Sequence, residues 1–237
     1  MSVVLNRRQV MLAGGATLLG GAVVSPVGAA GNGEAKEIEV PAAEDLMREH
    51  GVLRRALLVY SETAGRIARG TAIPFDALGR TAELFRSFGE EYHERSLEEA
   101  HVFKPLARAG SPHATLVRTL TSQHERGRAI TAYILAMAKK GRAATAELAP
   151  LAHTLESFVR MYEHHAAIED TIVFPAWKAA ISPAQYAELG EQFEDLEHSM
   201  FGKDGFEDAL EKIAAIEQAF GLSDLNALTA AAPPQAG

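Results

Sequence analysis

The chain has no cysteine, which excludes disulfide cross-links, thiolate metal sites and cysteine nucleophiles together. Any metal it holds must be bound through nitrogen and oxygen. Basic residues are the minority, 23 Lys and Arg against 31 Asp and Glu, and the two signs are interspersed, so the basic face that nucleic acid requires is missing. Strand-like alternation is absent from Glu44 to Trp177, where the apolar period is helical throughout. There is no nucleophile elbow, phosphate-cradling loop or helix-borne H-E-x-x-H, which removes the residues of a conventional hydrolase. Apolar residues are plentiful at 47% of 237, enough to bury one sizeable core.

Residues 1–30 stand apart from the rest. NRRQVMLAGGATLLGGAVVSPVGAA combines a polar start, the pair Arg7–Arg8, a Gly/Ala-rich apolar run and a small-residue end at Val27-Gly28-Ala29. This resembles a twin-arginine export signal, with cleavage expected after Ala29 or Ala30. The resemblance implies a bacterial periplasmic or extracytoplasmic protein, exported folded after cofactor loading and free of the membrane once cleaved. Residues 31–42 read as a linker.

From 43 to 181 the pattern predicts four helices joined by short connections, an all-α up-down-up-down bundle. Leu46, His50, Leu53, Leu57, Ala64 and Ile67 form one inward stripe in the first helix. Leu148, Leu151, Leu155, Phe158, Tyr162, His165, Glu169, Ile172 and Ala176 form another in the fourth. The second should follow Pro74 and end near Ala109-Gly110; Ser111-Pro112 should open the third as cap and first helical residue. A C-terminal helical extension is expected over 182–220, opened by a Ser182/Gln185 capping box and broken at Phe201–Gly205. Residues 221–237 read as a disordered tail.

A lone histidine on a buried stripe is usually a hydrogen-bonded core residue. A buried glutamate is different, because desolvating a carboxylate costs several kcal/mol unless a cation pairs with it. His165 and Glu169, four apart on the core stripe, therefore suggest a metal site. His164 lies about 100° off that stripe and reads as a rim residue, Asp170 is a weaker ligand candidate, and His113 and His153 read as solvated. Each helix of the bundle offers a candidate: His50, His93 with Glu98 or Glu99, His124, and His165 with Glu169. Imidazole and carboxylate without sulfur suit iron, manganese or zinc, and two carboxylates suggest a bridged pair of metals.

The stretch YHERSLEEAHVFKP breaks the spacing. Glu98 is five residues after His93, and i+5 lies roughly 140° around a regular helix. Three readings are open: a regular helix offering His93 alone, Glu94 as the ligand, or a π-bulge that brings Glu98 under His93. The bulge is favoured, since Glu98–Phe103 matches Glu169–Phe174 in register while His93 falls one residue out.

DLMREHGVLRRAL, YHERSLEEAHVF, SQHERGR and YEHHAAIEDTIVFPAW together resemble the four helices of hemerythrin-like, HHE cation-binding proteins. The resemblance implies a non-haem di-iron centre with His50, His93, His124 and His165 as terminal ligands and Glu98 and Glu169 as bridges. It implies binding of dioxygen or a related small ligand such as peroxide or nitric oxide. Oxygen carriers of the family have a second histidine four residues on in the third helix. Here that place is Arg128, leaving an open metal position or a substitute among Glu49, Glu94 and His101. Two other readings follow: an oxidoreductase turning over peroxide or oxidising a small substrate, and a non-catalytic metal-handling or sensor protein using the extension as a contact surface. Phe85, Phe88, Tyr92, Phe158 and Tyr162 are expected to wall the site.

Overall fold

The computed structural model describes residues 9–10 and 38–234. The expected export signal, apart from Gln9–Val10, and most of the linker lie outside these residues, as does the end of the expected tail. Gln9–Val10 pairs antiparallel with Ile38–Glu39; the rest of the described fold is helical. No helix among the described residues is long and apolar enough to cross a membrane.

The first helix, Ala42–Arg69, places Glu44 and Asp45 in its first turn and Arg66 and Arg69 in its last, complementing the helix dipole. It stops at Gly70, whose φ of 64° lets Thr71 N–H close a 2.9 Å bond back to Arg66. The second helix runs over residues 75–106 and the fourth over 145–180. Between them the third, Ala114–Lys139, starts two residues later than the sequence predicts. Ser111 acts there as the acceptor of a turn, taking the His113 N–H at 3.2 Å, instead of capping Pro112 as a first helical residue. The first helix packs chiefly on the fourth and the second on the third, which completes the expected four-helix core.

Two helices depart from α geometry. The second is α-helical over Phe75–Leu84, π-helical over Phe85–Val102 and α-helical again over Phe103–Leu106. Phe103 N–H reaches back five residues to the Glu98 carbonyl. The bulge expected here is present, within a longer wide-turn stretch. The fourth helix holds a π-turn that its regular spacing does not predict, over Glu169–Val173, with Phe174 N–H bonded to the Glu169 carbonyl. Widening a turn delays the helical phase by one residue. The inward stripe therefore continues through Val173, Phe174 and Trp177, all fully buried, while Ile172 is 40% exposed.

The extension is two helices, Pro183–Phe201 and Gly205–Phe220. The Ser182/Gln185 capping box forms as expected, and Asp204 caps the last helix through Glu207 N–H at 2.9 Å. Both helices are fixed to the core. Tyr186 Oη accepts from Ala43 N–H at 2.8 Å, Phe193 stacks on Trp177, and Arg55 grips Glu217 through two bonds of 2.8 and 2.5 Å. Residues 221–234 contain no helix or strand, with Leu222 packed into the core.

Candidate metal centre

Four histidines meet inside the bundle in two pairs. His50 and His93 bring their Nε2 atoms to 3.0 Å, and His124 and His165 do the same at 3.0 Å. Glu98 lies between the pairs, with Oε1 3.4 Å from His93 Nε2 and Oε2 3.5 Å from His124 Nε2. Glu169 also reaches both, with Oε2 at 3.5 Å from His50 and 3.0 Å from His165, and Oε1 3.9 Å from His124. All six side chains are buried. The wide turn at Ser96–Leu97 is what carries Glu98 under His93; the Ser96 hydroxyl bonds to the carbonyl five residues back, Glu91, at 2.7 Å.

Each imidazole is oriented from its other nitrogen. His50 Nδ1 faces Asp170 at 2.7 Å, His93 faces Glu49 at 2.5 Å, and His124 and His165 face Glu99 and Gln123 at 2.9 Å each. An acceptor at Nδ1 fixes the ring and leaves Nε2 directed at the cluster. The outer carboxylates are held by arginines: Arg54 bonds Asp170 at 2.6 Å, and Arg128 bonds Glu99 and, at 3.2 Å, Glu94. Phe174 stacks on His50 and Phe103 on His124, at 5.5 and 5.4 Å between ring centres.

These contacts repeat about a pseudo-twofold axis that exchanges the first helix with the third and the second with the fourth. Glu49-His50-x3-Arg54 corresponds to Gln123-His124-x3-Arg128. Glu98-Glu99-x3-Phe103 corresponds to Glu169-Asp170-x3-Phe174. Within each half, the acidic residue after the shared glutamate takes the Nδ1 of a histidine on another helix, and the phenylalanine five residues on covers that same ring.

Burial opposes the imidazolium form, but nearby carboxylates outweigh it. Asp170 and Glu169 raise His50, Glu98 and Glu49 raise His93 well above its ordinary range, and Glu94, Glu99, Glu98 and Glu169 raise His124 to about 9. Burial alone would raise the Glu169 carboxyl, yet His165 and His50 hold it far below the usual range. The site is built to keep negative charge inside and to draw positive charge toward it.

Two features test the fit to metal. Neither oxygen of Glu98 nor of Glu169 has a hydrogen-bond partner among the described residues, although buried polar atoms are almost always satisfied. Two nitrogens each about 2.1 Å from one ion at right angles would stand about 3.0 Å apart, which is the separation in both histidine pairs. The donors fit a pair of cations.

The remaining candidates are placed as follows. His101 supplies no ligand; it is half-buried and meets the Phe193 ring edge-on. Glu49 and Asp170 orient imidazoles from outside the cluster, and Glu99, which faces His124 Nδ1, also stands close enough to Glu94 and His124 for the three to hold a cation. Glu94 is fully buried and bonded to Tyr162 Oη at 2.9 Å and to Arg128. Phe85, Phe158 and Tyr162 do form an aromatic wall, but Phe88 and Tyr92 turn outward onto Phe201 of the extension. His164 lies in an open groove of about 830 Å³ between the third and fourth helices, beside Gln123. The roles of Gln123, Arg54, Arg128, Phe103 and Phe174 beside the cluster were not read from the sequence. The signal for them was the repeat itself, which a comparison of the two helix pairs exposes.

The chain belongs to the hemerythrin family: the Hemerythrin HHE cation binding domain matches residues 42–177 and, in a second register, 115–220. The second match begins in the third helix, as expected if the third and fourth helices repeat the first and second. The uncharacterized proteins Rv1995 of Mycobacterium tuberculosis and Mb2018 of Mycobacterium bovis are each 42% identical over 196 residues, 82% of this chain and 76% of theirs. No solved structure matches the chain. The cluster is a hemerythrin-like His/carboxylate metal-binding site.

Proposed function

We propose that the cluster holds two iron ions and that the protein binds dioxygen or a related small ligand, peroxide or nitric oxide, inside the bundle. His50 and His93 with Glu98 would hold one ion, and His124 and His165 with Glu98 and Glu169 the other. The observation that carries this reading is the four buried carboxylate oxygens without hydrogen-bond partners between two imidazole pairs. Iron is favoured over manganese and zinc on the resemblance to the family's di-iron proteins, although Arg128 takes the place of one of their histidines. When bound, the metal pair supplies a Lewis-acidic, redox-active centre for a small ligand.

The protein's own residues do the remainder. Asp170, Glu49, Glu99 and Gln123 fix the imidazoles. Phe103 and Phe174 exclude water from the ring faces. Arg128 stands where a third-helix histidine would add a ligand, and it is spent on Glu99 and Glu94, so the chain would offer four imidazoles to the two ions and leave an exogenous ligand to be bound by the metal pair. Tyr162, donating to Glu94 and stacked on His165, favours the second reading, turnover of peroxide, over simple reversible carriage. Its phenol is pushed well above the ordinary range by burial and by Glu94, Glu98 and Glu169, so it keeps its proton.

Arg7–Arg8 and the Val27-Gly28-Ala29 end support export through the twin-arginine route, loaded and folded. Replacing both arginines by lysine is expected to retain the protein in the cytoplasm; unaltered export refutes that route. Metal content decides the central reading: two irons per chain are expected in the protein isolated aerobically, with oxo-to-iron charge-transfer bands that change with reductant and peroxide. Steady-state peroxide consumption separates an enzyme from a binder.

A further inference from the structure

The pseudo-twofold axis relates the ligands well and the residues just behind them poorly. Glu90, Glu94 and Glu98 follow one another four residues apart on the second helix, and all three are buried, Glu90 at 3% exposure. Three carboxylates in one buried row repel each other unless each has its own counter-charge. Glu98 has the cluster, and Glu94 has Arg128 and Tyr162. Glu90 has a loose 3.9 Å approach from Arg86, the Thr131 hydroxyl beside it and Arg128 further off, and its Oε1 has no close hydrogen-bond partner.

Around Glu90 stand three more orphaned polar atoms. The Thr131 hydroxyl faces the Glu90 carboxyl, lowering it, without a well-formed hydrogen bond; Tyr60 Oη and Arg128 Nε have no hydrogen-bond partner among the described residues. Tyr60 and Thr131 are fully buried, and both Tyr60 and Arg128 lie within electrostatic reach of Glu90. The four groups come from three helices, the first, second and third.

Packing does not require these polar residues. The repeat places Ile134 opposite Tyr60, Leu57 opposite Thr131 and Ala166 opposite Glu94, all apolar and buried. The fourth partner, Tyr162 opposite Glu90, is the phenol that bonds Glu94. Three of these four counterparts are thus apolar where the residues around Glu90 are polar. A single water with two to four polar neighbours is the usual way buried groups of this kind are satisfied. Here an oxygen atom would accept from Tyr60, Thr131 or Arg128 and donate to Glu90.

We propose that Tyr60, Glu90, Arg128 and Thr131 enclose a buried water site, and that Glu90 is the carboxyl passing protons between solvent and the His124/His165 side of the cluster. Glu90 takes a proton from solvent past Arg86, which is 39% exposed, and releases one to the water it faces, toward Glu94. Only O–H bonds are made and broken, and no electrons move. Glu90 is suited to this. Burial raises its carboxyl to about 6, with Glu94 adding to the rise and Thr131, Arg86 and Arg128 opposing it, so both protonation states are populated near neutrality. The proton role rests on reading the cluster as a metal centre that consumes protons; the water site does not.

The test uses the full chain. A high-resolution crystal structure of the metal-free protein is expected to show water bonded to Glu90 Oε1, lost or displaced in T131V; direct bonds among the four side chains with no room for water would overturn the site. Infrared difference spectra of the metal-free protein are expected to show a protonated carboxyl band that titrates near pH 6, shifts in deuterium oxide and is absent from E90Q. A band that survives E90Q removes Glu90 from the role. With iron loaded, E90Q is expected to carry wild-type metal and to consume peroxide several-fold more slowly; full loading with unchanged consumption overturns the proton role. If the wild type itself loads no iron, the metal reading and the proton role fall together, and the first two measurements still decide the water site.

Discussion

Removing the metal should make stability fall as pH rises, and His124 sets the size of the effect. In the fold its imidazole is raised to about 9, burial working against the rise and Glu94, Glu99, Glu98 and Glu169 overcoming it. Unfolded, it titrates near 6.5. A group whose pKa is higher in the folded state contributes stability that is complete below the unfolded value and is lost as pH passes through the folded value. The difference of roughly 2.5 units corresponds to about 3 kcal/mol, lost between about pH 6.5 and 9. His50 and His93 are raised as well and act in the same direction. Urea unfolding of the chelator-treated protein at pH 6, 8 and 9.5, followed by circular dichroism, measures this directly. H124Q, compared with wild type across the same range, isolates the His124 share, because its slope should be shallower by that amount. In the metal-loaded protein the imidazoles carry metal instead of a proton, so the fall should largely vanish. Metal-free stability that is level or rising from pH 6.5 to 9 would refute the reasoning.

Other outcomes follow from the same geometry. Glu169→Ala is expected to lose at least one metal per chain by elemental analysis; unchanged loading shows the bridge assignment wrong. Asp170→Asn and Glu99→Gln should each weaken metal binding about 10- to 100-fold in chelator competition, since each orients a histidine from behind. Glu90→Gln should stabilise the protein at pH 7.5 by up to about 2 kcal/mol, the cost of ionising a carboxyl raised from 4.5 to about 6. The gain should disappear below pH 4.5, where the carboxyl is protonated in folded and unfolded states alike. Gly89→Ala should cost about 1–3 kcal/mol in urea unfolding, because an added Cβ would sit 3.0 Å from the Leu53 Cδ2 methyl against the first helix.

The sequence carried the bundle and the six inward residues because both are written in short-range periodicity. Stripes of apolar residues at steps of three and four name the buried faces, and His165 with Glu169 stood on one of them. His93 and Glu98 became legible only by comparing their stretch with the fourth helix, since an inserted residue scrambles phase locally but leaves register on either side. The π-turn after Glu169 was invisible for the complementary reason: the His165 to Glu169 spacing is regular, and the widening begins at Glu169 itself, so only the exposure of Ile172 and burial of Val173 betray it. The outer residues were hidden because their partners are distant in sequence; Asp170 meets His50 across 120 residues. Glu90 was hidden differently. Its spacing from Glu94 and Glu98 was in plain view, but a carboxylate row reads as a solvated face until burial is known.

The most direct test of the account is iron per chain and its spectrum in wild type beside the Glu98→Ala, Glu169→Ala double variant. Two irons per folded chain, with Mössbauer spectra of a coupled pair in the wild type and loss of that coupling in the variant, are predicted. One iron or fewer in the wild type, or an unaltered coupled pair in the variant, would contradict the assignment of Glu98 and Glu169 as the bridges of a binuclear centre.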